Sequence, residues 1–243
     1  MTDLAVQQLF DDKAAAWPSK YAPGGRLSGR LAQLTEAVTR HVPPGGRVLD
    51  LGCGTGELVA SLAAAGICVV GCDISPQMLD RAAASATGVA DGAMSWVRLD
   101  PGWQILPFGA GSFNAVVAAS VLEYVAEPAT VLRECRRVLR PGGTVLCTVP
   151  DPSHPTRWLE WLLAIAARPP VTTMARQGHR LSDYLTYLQV SRHRHRARWW
   201  SAVAAHVGLR AVASGGDATR RTPLRLLALE RPDSTREDSW TPR

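Results

Sequence analysis

This chain of 243 residues lacks any apolar run long enough to cross a bilayer. Its most apolar stretches, Leu62 to Val70 and Trp158 to Ala167, fall well short of the ~20 residues a spanning helix needs. The first segment, Met1 to Lys13, holds three aspartates and nothing like the apolar core of a signal peptide. The expectation is a cytoplasmic protein with no membrane partner. Lysine is almost missing: Lys13 and Lys20 stand against 25 arginines. A net charge of +6 built this way says little about nucleic acid. Cysteine is sparse and odd in number (Cys53, Cys68, Cys72, Cys135, Cys147), without metal-ligand spacing and mostly inside strand-like runs. Reduced thiols, no disulfide and no metal site are expected.

What remains is an ordinary globular composition, 46% apolar and 20% charged, in a chain long enough for one large domain. Leu31, Leu34 and Val38 share a helical face ahead of Pro43-Pro44-Gly45-Gly46, with Ser28 as the expected cap. Strands are expected at Arg47–Leu51, Ile67–Cys72, Met94–Leu99, Ala115–Ala119 and Thr144–Val149. Helices are expected from Glu57, from Ser75-Pro76 and around Ala129–Leu139, and Pro141-Gly142-Gly143 reads as the turn before the fifth strand. This alternation predicts right-handed βαβ crossovers and a parallel sheet covered on both faces. Three prolines (Pro150, Pro152, Pro155) then open a Trp- and Arg-rich segment, read as a cap, before a helix at Ala197–His206 and strands at Arg210–Ser214 and Leu224–Leu229. The expected divisions are a helical lid segment over 1–42, a core over 43–150, a helical cap over 151–196, a completing helix and strands over 197–230, and a tail over 231–243.

The segment Val48-Leu49-Asp50-Leu51-Gly52-Cys53-Gly54-Thr55-Gly56 places three glycines between a strand and a helix. Glycine permits sharp turning and close approach of backbone to a ligand. The spacing G-x-G-x-G differs from the dinucleotide fingerprint G-x-G-x-x-G and argues against NAD or FAD. In isolation the triplet would also suit an ordinary βα turn. Asp73, however, ends the second strand 21 residues after Gly52, where a carboxylate can accept from both hydroxyls of a ribose, and Asp100 ends the third strand in the same manner. Three strand ends thus converge on the carboxyl edge of the sheet, where open α/β folds bind ligands.

With VLDLGCGTG (48–56), CDISPQML (72–79), LPF and SFNAVVAASVLEYV (106–125) and VLRPGGTVL (138–146), the chain resembles the class I S-adenosylmethionine-dependent methyltransferases. The resemblance implies an α/β, Rossmann-like, doubly wound sheet of seven strands, the last antiparallel, with helices on both faces and a small helical cap. It implies S-adenosylmethionine as cofactor, with Gly52, Cys53, Gly54 and Gly56 along its methionine part and Asp73 on the ribose. Ile74 would also bind the cofactor, and Met78 would lie near adenine, with Asp100 at its amino edge and Ser120 near the cofactor at the end of strand four. Tyr21 and Arg30 become candidates for the cofactor carboxylate. The chain departs from the pattern in two extra residues before Leu106, in Asn114 where relatives usually have Asp, and in Tyr124 where His is frequent.

Strand four ends without the Asn/Asp-Pro-Pro-aromatic tetrapeptide of amide methylation and without a Pro-Cys nucleophile for cytosine. A metal-free enzyme methylating O or N, or carbon on an electron-rich ring, of a small-molecule acceptor in specialised metabolism is the leading expectation. His193, His154 and Tyr124 are the candidate catalytic residues, His193 because an imidazole near neutrality can deprotonate an acceptor. The segment 151–200 holds eight arginines against three acids, which either steers an anionic acceptor or forms a solvated face. The alternatives are an RNA methyltransferase using Arg192, Arg194, Arg196 and Arg198, for which no separate RNA-binding module is visible, and a cofactor-binding protein without turnover.

Overall fold

The computed structural model describes residues 3–25, 27–86, 92–154, 187, 190–213 and 224–233. Much of the expected cap, including Trp158, Trp161, His179 and Tyr184, lies outside the described residues.

Alternating apolar residues decide the architecture. In β1 (Arg47–Leu51), β2 (Cys68–Asp73), β4 (Phe113–Ala119) and β5 (Leu139–Pro150), successive side chains enter two different cores. Val48, Val69, Ala115, Val117 and Leu146 meet Leu34, Val38, Leu58 and Leu62 of α2 (Ser28–His41) and α3 (Glu57–Ala64). Leu49, Val70, Val116, Val145 and Cys147 meet Val131, Leu132 and Cys135 of α5 (Pro128–Val138) and Trp200 of α6 (Ala197–His206). A sheet apolar on both faces must be covered on both faces.

With β3 (Met94–Arg98), β6 (Arg210–Val212) and β7 (Leu224–Glu230), the sheet has seven strands in the order β3-β2-β1-β4-β5-β7-β6. β7 is antiparallel to both neighbours and the other pairings are parallel. The order reverses between β1 and β4, and that switch point opens the crevice at their carboxyl ends.

Two local expectations change. Ser28 does not cap α2, because it is already the first helical residue and its hydroxyl donates to the Gly25 carbonyl at 2.9 Å. Pro141-Gly142-Gly143 does not separate helix from strand: Gly142 N donates to Arg231 O (2.9 Å) and Arg231 N to Gly143 O (2.8 Å), so β5 runs on from Leu139 while its pairing with β4 jumps from Leu139 to Thr144. Ahead of the sheet, α1 (Asp3–Lys13) and two 3-10 turns, Ala14–Ala16 and Pro18–Lys20, lead into α2.

Candidate active site

A crevice of about 820 Å³ lies over the carboxyl ends of β1, β2 and β4, roofed by α1 and the 3-10 turns. Its floor is the start of the glycine loop, Gly52 to Gly54. Gly52 N and Cys53 N both donate to Cys72 O (2.7 and 3.0 Å), which ties the loop to the end of β2. A Cβ at Gly52 would come 2.5 Å from Val121 Cγ2, and one at Gly56 would come 2.6 Å from the Trp96 ring. These two glycines serve the packing of the loop against the protein itself. Gly54 differs: its nearest neighbour would be Trp17 Nε1 at 3.3 Å, a side chain of the roof.

Asp73 ends β2 with 9% exposure. Its Oδ2 accepts from Gly54 N and its Oδ1 from Ser75 N, both at 2.9 Å. Burial raises its pKa, and the bonds from the Ser75, Gly54 and Ile74 backbone oppose that rise. A carboxylate offers about four acceptor positions, so beside these three backbone donors room is left for one further donor from the crevice. Ser75 caps α4 (Pro76–Ser85) by accepting from Met78 N, and donates its own hydroxyl to Asp11 of α1.

Asp50 sits one strand away at 2% exposure, with Oδ1 lacking any hydrogen-bond partner. Burial, with Asp73 and Glu57 adding to it and Arg30 opposing it, pushes its pKa up to about 8. Arg30 reaches from α2 over the ends of β4 and β5: its Nη2 donates to Ser120 Oγ (3.0 Å) and Thr148 Oγ1 (2.5 Å), while its buried Nε has no partner. Ser120 holds φ +58, the one non-glycine with positive φ among the described residues. Such strain at a strand end over a crevice marks functional sites.

Beyond Ser120 the wall becomes aromatic. Phe10 meets Tyr124 edge-on at 5.3 Å and Trp17 at 5.5 Å, and Tyr124 meets Tyr187 at 6.3 Å. Burial, Glu123 and Tyr187 push the Tyr124 hydroxyl well above its ordinary pKa, so it is a donor and no base near neutrality. Glu123, 2% exposed, lines this end.

Of the residues singled out from sequence, Tyr21, Arg30, Gly52, Cys53, Gly54, Asp73, Ile74, Met78, Ser120 and Tyr124 line the crevice together. Gly56, Asp100, His154 and His193 are not brought to it. Gly56 faces Trp96, and Asp100 is exposed, the crevice passing instead along Leu99, Gly102 and Trp103. His154 follows β5 in a turn closed on Asp151 O. His193 turns Nε2 toward the carbonyls of Val125 (3.0 Å) and Ala126 (3.3 Å) on the outside of the loop after β4. Sequence reasoning passed over Asp50, Glu123, Phe10, Trp17 and Thr148. Asp50 and Glu123 were within the quoted motifs, whereas nothing local marked Phe10 or Trp17.

Residues 49–147 match the family model described as a methyltransferase domain. Over 153 residues the chain is 42% identical to a demethylmenaquinone methyltransferase of Clavibacter sepedonicus, covering 62% of this chain and 60% of that one. It is 36% identical over 111 residues to a ubiquinone biosynthesis O-methyltransferase of Xanthomonas axonopodis pv. citri, covering 46% of each. The chain thus spans about half to three fifths of these relatives' length. In fold it is similar to magnesium protoporphyrin IX methyltransferase of Synechocystis, solved with S-adenosylhomocysteine (TM-score 0.68, 21% identity, 93% of this chain and 98% of that one). It is also similar to the structure of a Haloferax volcanii Trm112 methyltransferase activator complex with a methyltransferase (TM-score 0.65, 22% identity, 92% and 97%).

The residues present fit S-adenosylmethionine. Asp73 has an acceptor position left for a ribose hydroxyl. Ile74, Met78, Leu99 and Trp103 give apolar walls for a base, and Gly54 presents backbone without a side chain. Two orphaned polar atoms on the crevice wall, Asp50 Oδ1 and Arg30 Nε, belong to one acidic and one basic side chain, as an amino-acid end with one ammonium and one carboxylate requires.

Proposed function

We propose, from the match of residues 49–147 to a methyltransferase domain, that the chain is a class I S-adenosylmethionine-dependent methyltransferase and transfers a methyl group to a hydroxyl of a flat aromatic small molecule. The observation that carries this reading is the continuity of the crevice from the Asp73–Gly54 cradle into the Phe10–Tyr124–Tyr187 chamber. An aromatic wall offers a planar guest ring apolar area and edge-to-face or offset-stacked contacts. The relatives named for menaquinone and ubiquinone methylation favour a quinone-type acceptor.

Bound S-adenosylmethionine supplies an electrophilic methyl carbon on a sulfonium. The protein's own work is placement. Asp73 would hold the ribose, Asp50 and Arg30 would hold the amino-acid end, and α1 with Trp17 roofs the glycine loop against water. The loop after β4 carries Glu123 and Tyr124, and its shape is fixed from outside: Arg192 N and His193 N both donate to Glu123 O (2.7 and 3.2 Å), and His193 Nε2 donates to Val125 O. His193 is here a positioning residue, acting through that loop. His193→Ala is expected to raise the KM for the acceptor several-fold with cofactor affinity unchanged in calorimetry; a loss confined to kcat would return His193 to proton transfer.

Within this reading, residues 1–42 act as lid, 43–150 with 197–230 as core, and 151–196 as cap in a biosynthetic enzyme. The test is incubation with methyl-labelled S-adenosylmethionine and a panel of catechols, hydroquinones, amines and total RNA. Label on a phenolic oxygen is expected. Label in RNA favours the nucleic-acid reading, and label nowhere leaves a cofactor-binding protein.

A further inference from the structure

A neutral hydroxyl that gains a methyl group must lose its proton, and one side chain in the aromatic chamber is placed to receive it. We propose that Glu123 accepts the proton of the acceptor hydroxyl, which makes a phenol the acceptor class; this rests on the methyl transfer argued above. The acceptor oxygen bonds to the methyl carbon as the carbon–sulfur bond breaks, its electron pair staying on sulfur. The hydroxyl proton passes to the Glu123 carboxylate and from there to water when the ether leaves.

The assignment comes from the other acids on the crevice wall, each of which has different work or a different place. Asp73 holds the Gly54 and Ser75 backbone, and Asp50 lies beneath the glycine cradle. Glu57 accepts the Thr55 hydroxyl at 2.6 and 2.8 Å. Asp3 stands beside Gly102 at the far end, and Glu127 is exposed at the start of α5. Glu123 alone of these is both buried and within the loop that carries the aromatic wall. Among the described residues no histidine lines the crevice.

The groups around Glu123 support that task. Tyr124 hydrogen-bonds to it, and because Tyr124 keeps its proton it is the donor of that bond. Tyr187 stands beyond Tyr124, and Arg30 from α2 supplies the nearby positive charge. The backbone of Glu123 is pinned by the two amides of Arg192 and His193. A fixed base of this kind contributes about a hundredfold or more to rate.

The experiment compares the wild type with Glu123→Gln and Glu123→Asp on catechol and on 4-nitrocatechol, whose hydroxyl is already ionised at mildly alkaline pH. Glu123→Gln is expected to lower kcat on catechol about a hundredfold, within the usual range for a general base, and to cost little on 4-nitrocatechol. Glu123→Asp should recover part of the loss. The acidic limb of the wild-type kcat/KM profile on catechol should disappear in Glu123→Gln, while S-adenosylmethionine affinity and melting temperature stay unchanged. Equal losses on both acceptors, or an unchanged pH profile, would assign Glu123 a merely structural part and overturn the proposal while leaving methyl transfer intact. A wild type that methylates neither phenol would overturn the phenol reading itself.

Discussion

Asp50 carries a proton it would lose in water, and that has two consequences of opposite sign. Its pKa is raised to about 8 by burial, so the folded protein binds one more proton than the unfolded chain between about pH 4 and that value, and stability is lost as pH rises across this window. Asp50→Asn is expected to raise the melting temperature at pH 8 more than at pH 5. Pairing with the cofactor's ammonium needs the ionised form, so S-adenosylmethionine should bind the wild type more tightly as pH rises toward 8, a trend that Asp50→Asn should flatten in calorimetric titrations. Glycines part in the same manner. Gly54 and Gly56 both hold positive φ, so a valine at either strains the loop; Gly54→Val, whose Cβ points at the roof, should also abolish cofactor binding, whereas Gly56→Val, whose Cβ strikes Trp96, should lower the melting temperature further; circular dichroism melts beside calorimetry separate the two. At this scale Asp73 and the glycines were legible because their types and spacing are local. Asp50 and Glu123 were in view as letters, but their burial and lost hydration depend on α2, Tyr124 and the roof.

At the scale of elements, α5 binds the loop before β4. Glu134 accepts from Leu106 N at 2.8 Å, and Arg137 donates to Leu106 O (3.0 Å) and Phe108 O (2.8 Å) while pairing with Glu134 at 2.7 Å. Glu134→Ala would leave a buried amide unsatisfied, so a loss of about 1–3 kcal/mol is expected in urea denaturation. Arg137, with the Leu106 amide, holds the Glu134 pKa below the usual carboxylate value. The clamp's contribution is therefore present above that usual value and lost as pH falls through the lowered one, so wild type and Glu134→Ala should converge in stability on acidification. The sequence marked α5, α6 and most strands to within a residue or two, since their apolar period is strong. It misjudged Ser28 and the start of β5, where a distant Arg231 decides which backbone groups are paired.

At the scale of the molecule, the strand order places β1, β2 and β4 ends around one crevice, and reversal between β1 and β4 is what leaves it open. The alternating pattern made the parallel sheet legible; the seven strands and the antiparallel β7 came from resemblance, since pairing order is carried by contacts far apart in the chain. The arginines of residues 192–198 do not line the crevice, whose charged groups include Lys13, Lys20 and Arg30 beside Asp50 and Asp73. The most direct measurement is calorimetric titration of S-adenosylmethionine into the wild type and Asp73→Ala. One site per chain is predicted, weakened in the variant by about 1.5–3 kcal/mol, the worth of hydrogen bonds to a charged group. Equal affinity in two folded proteins would contradict the account.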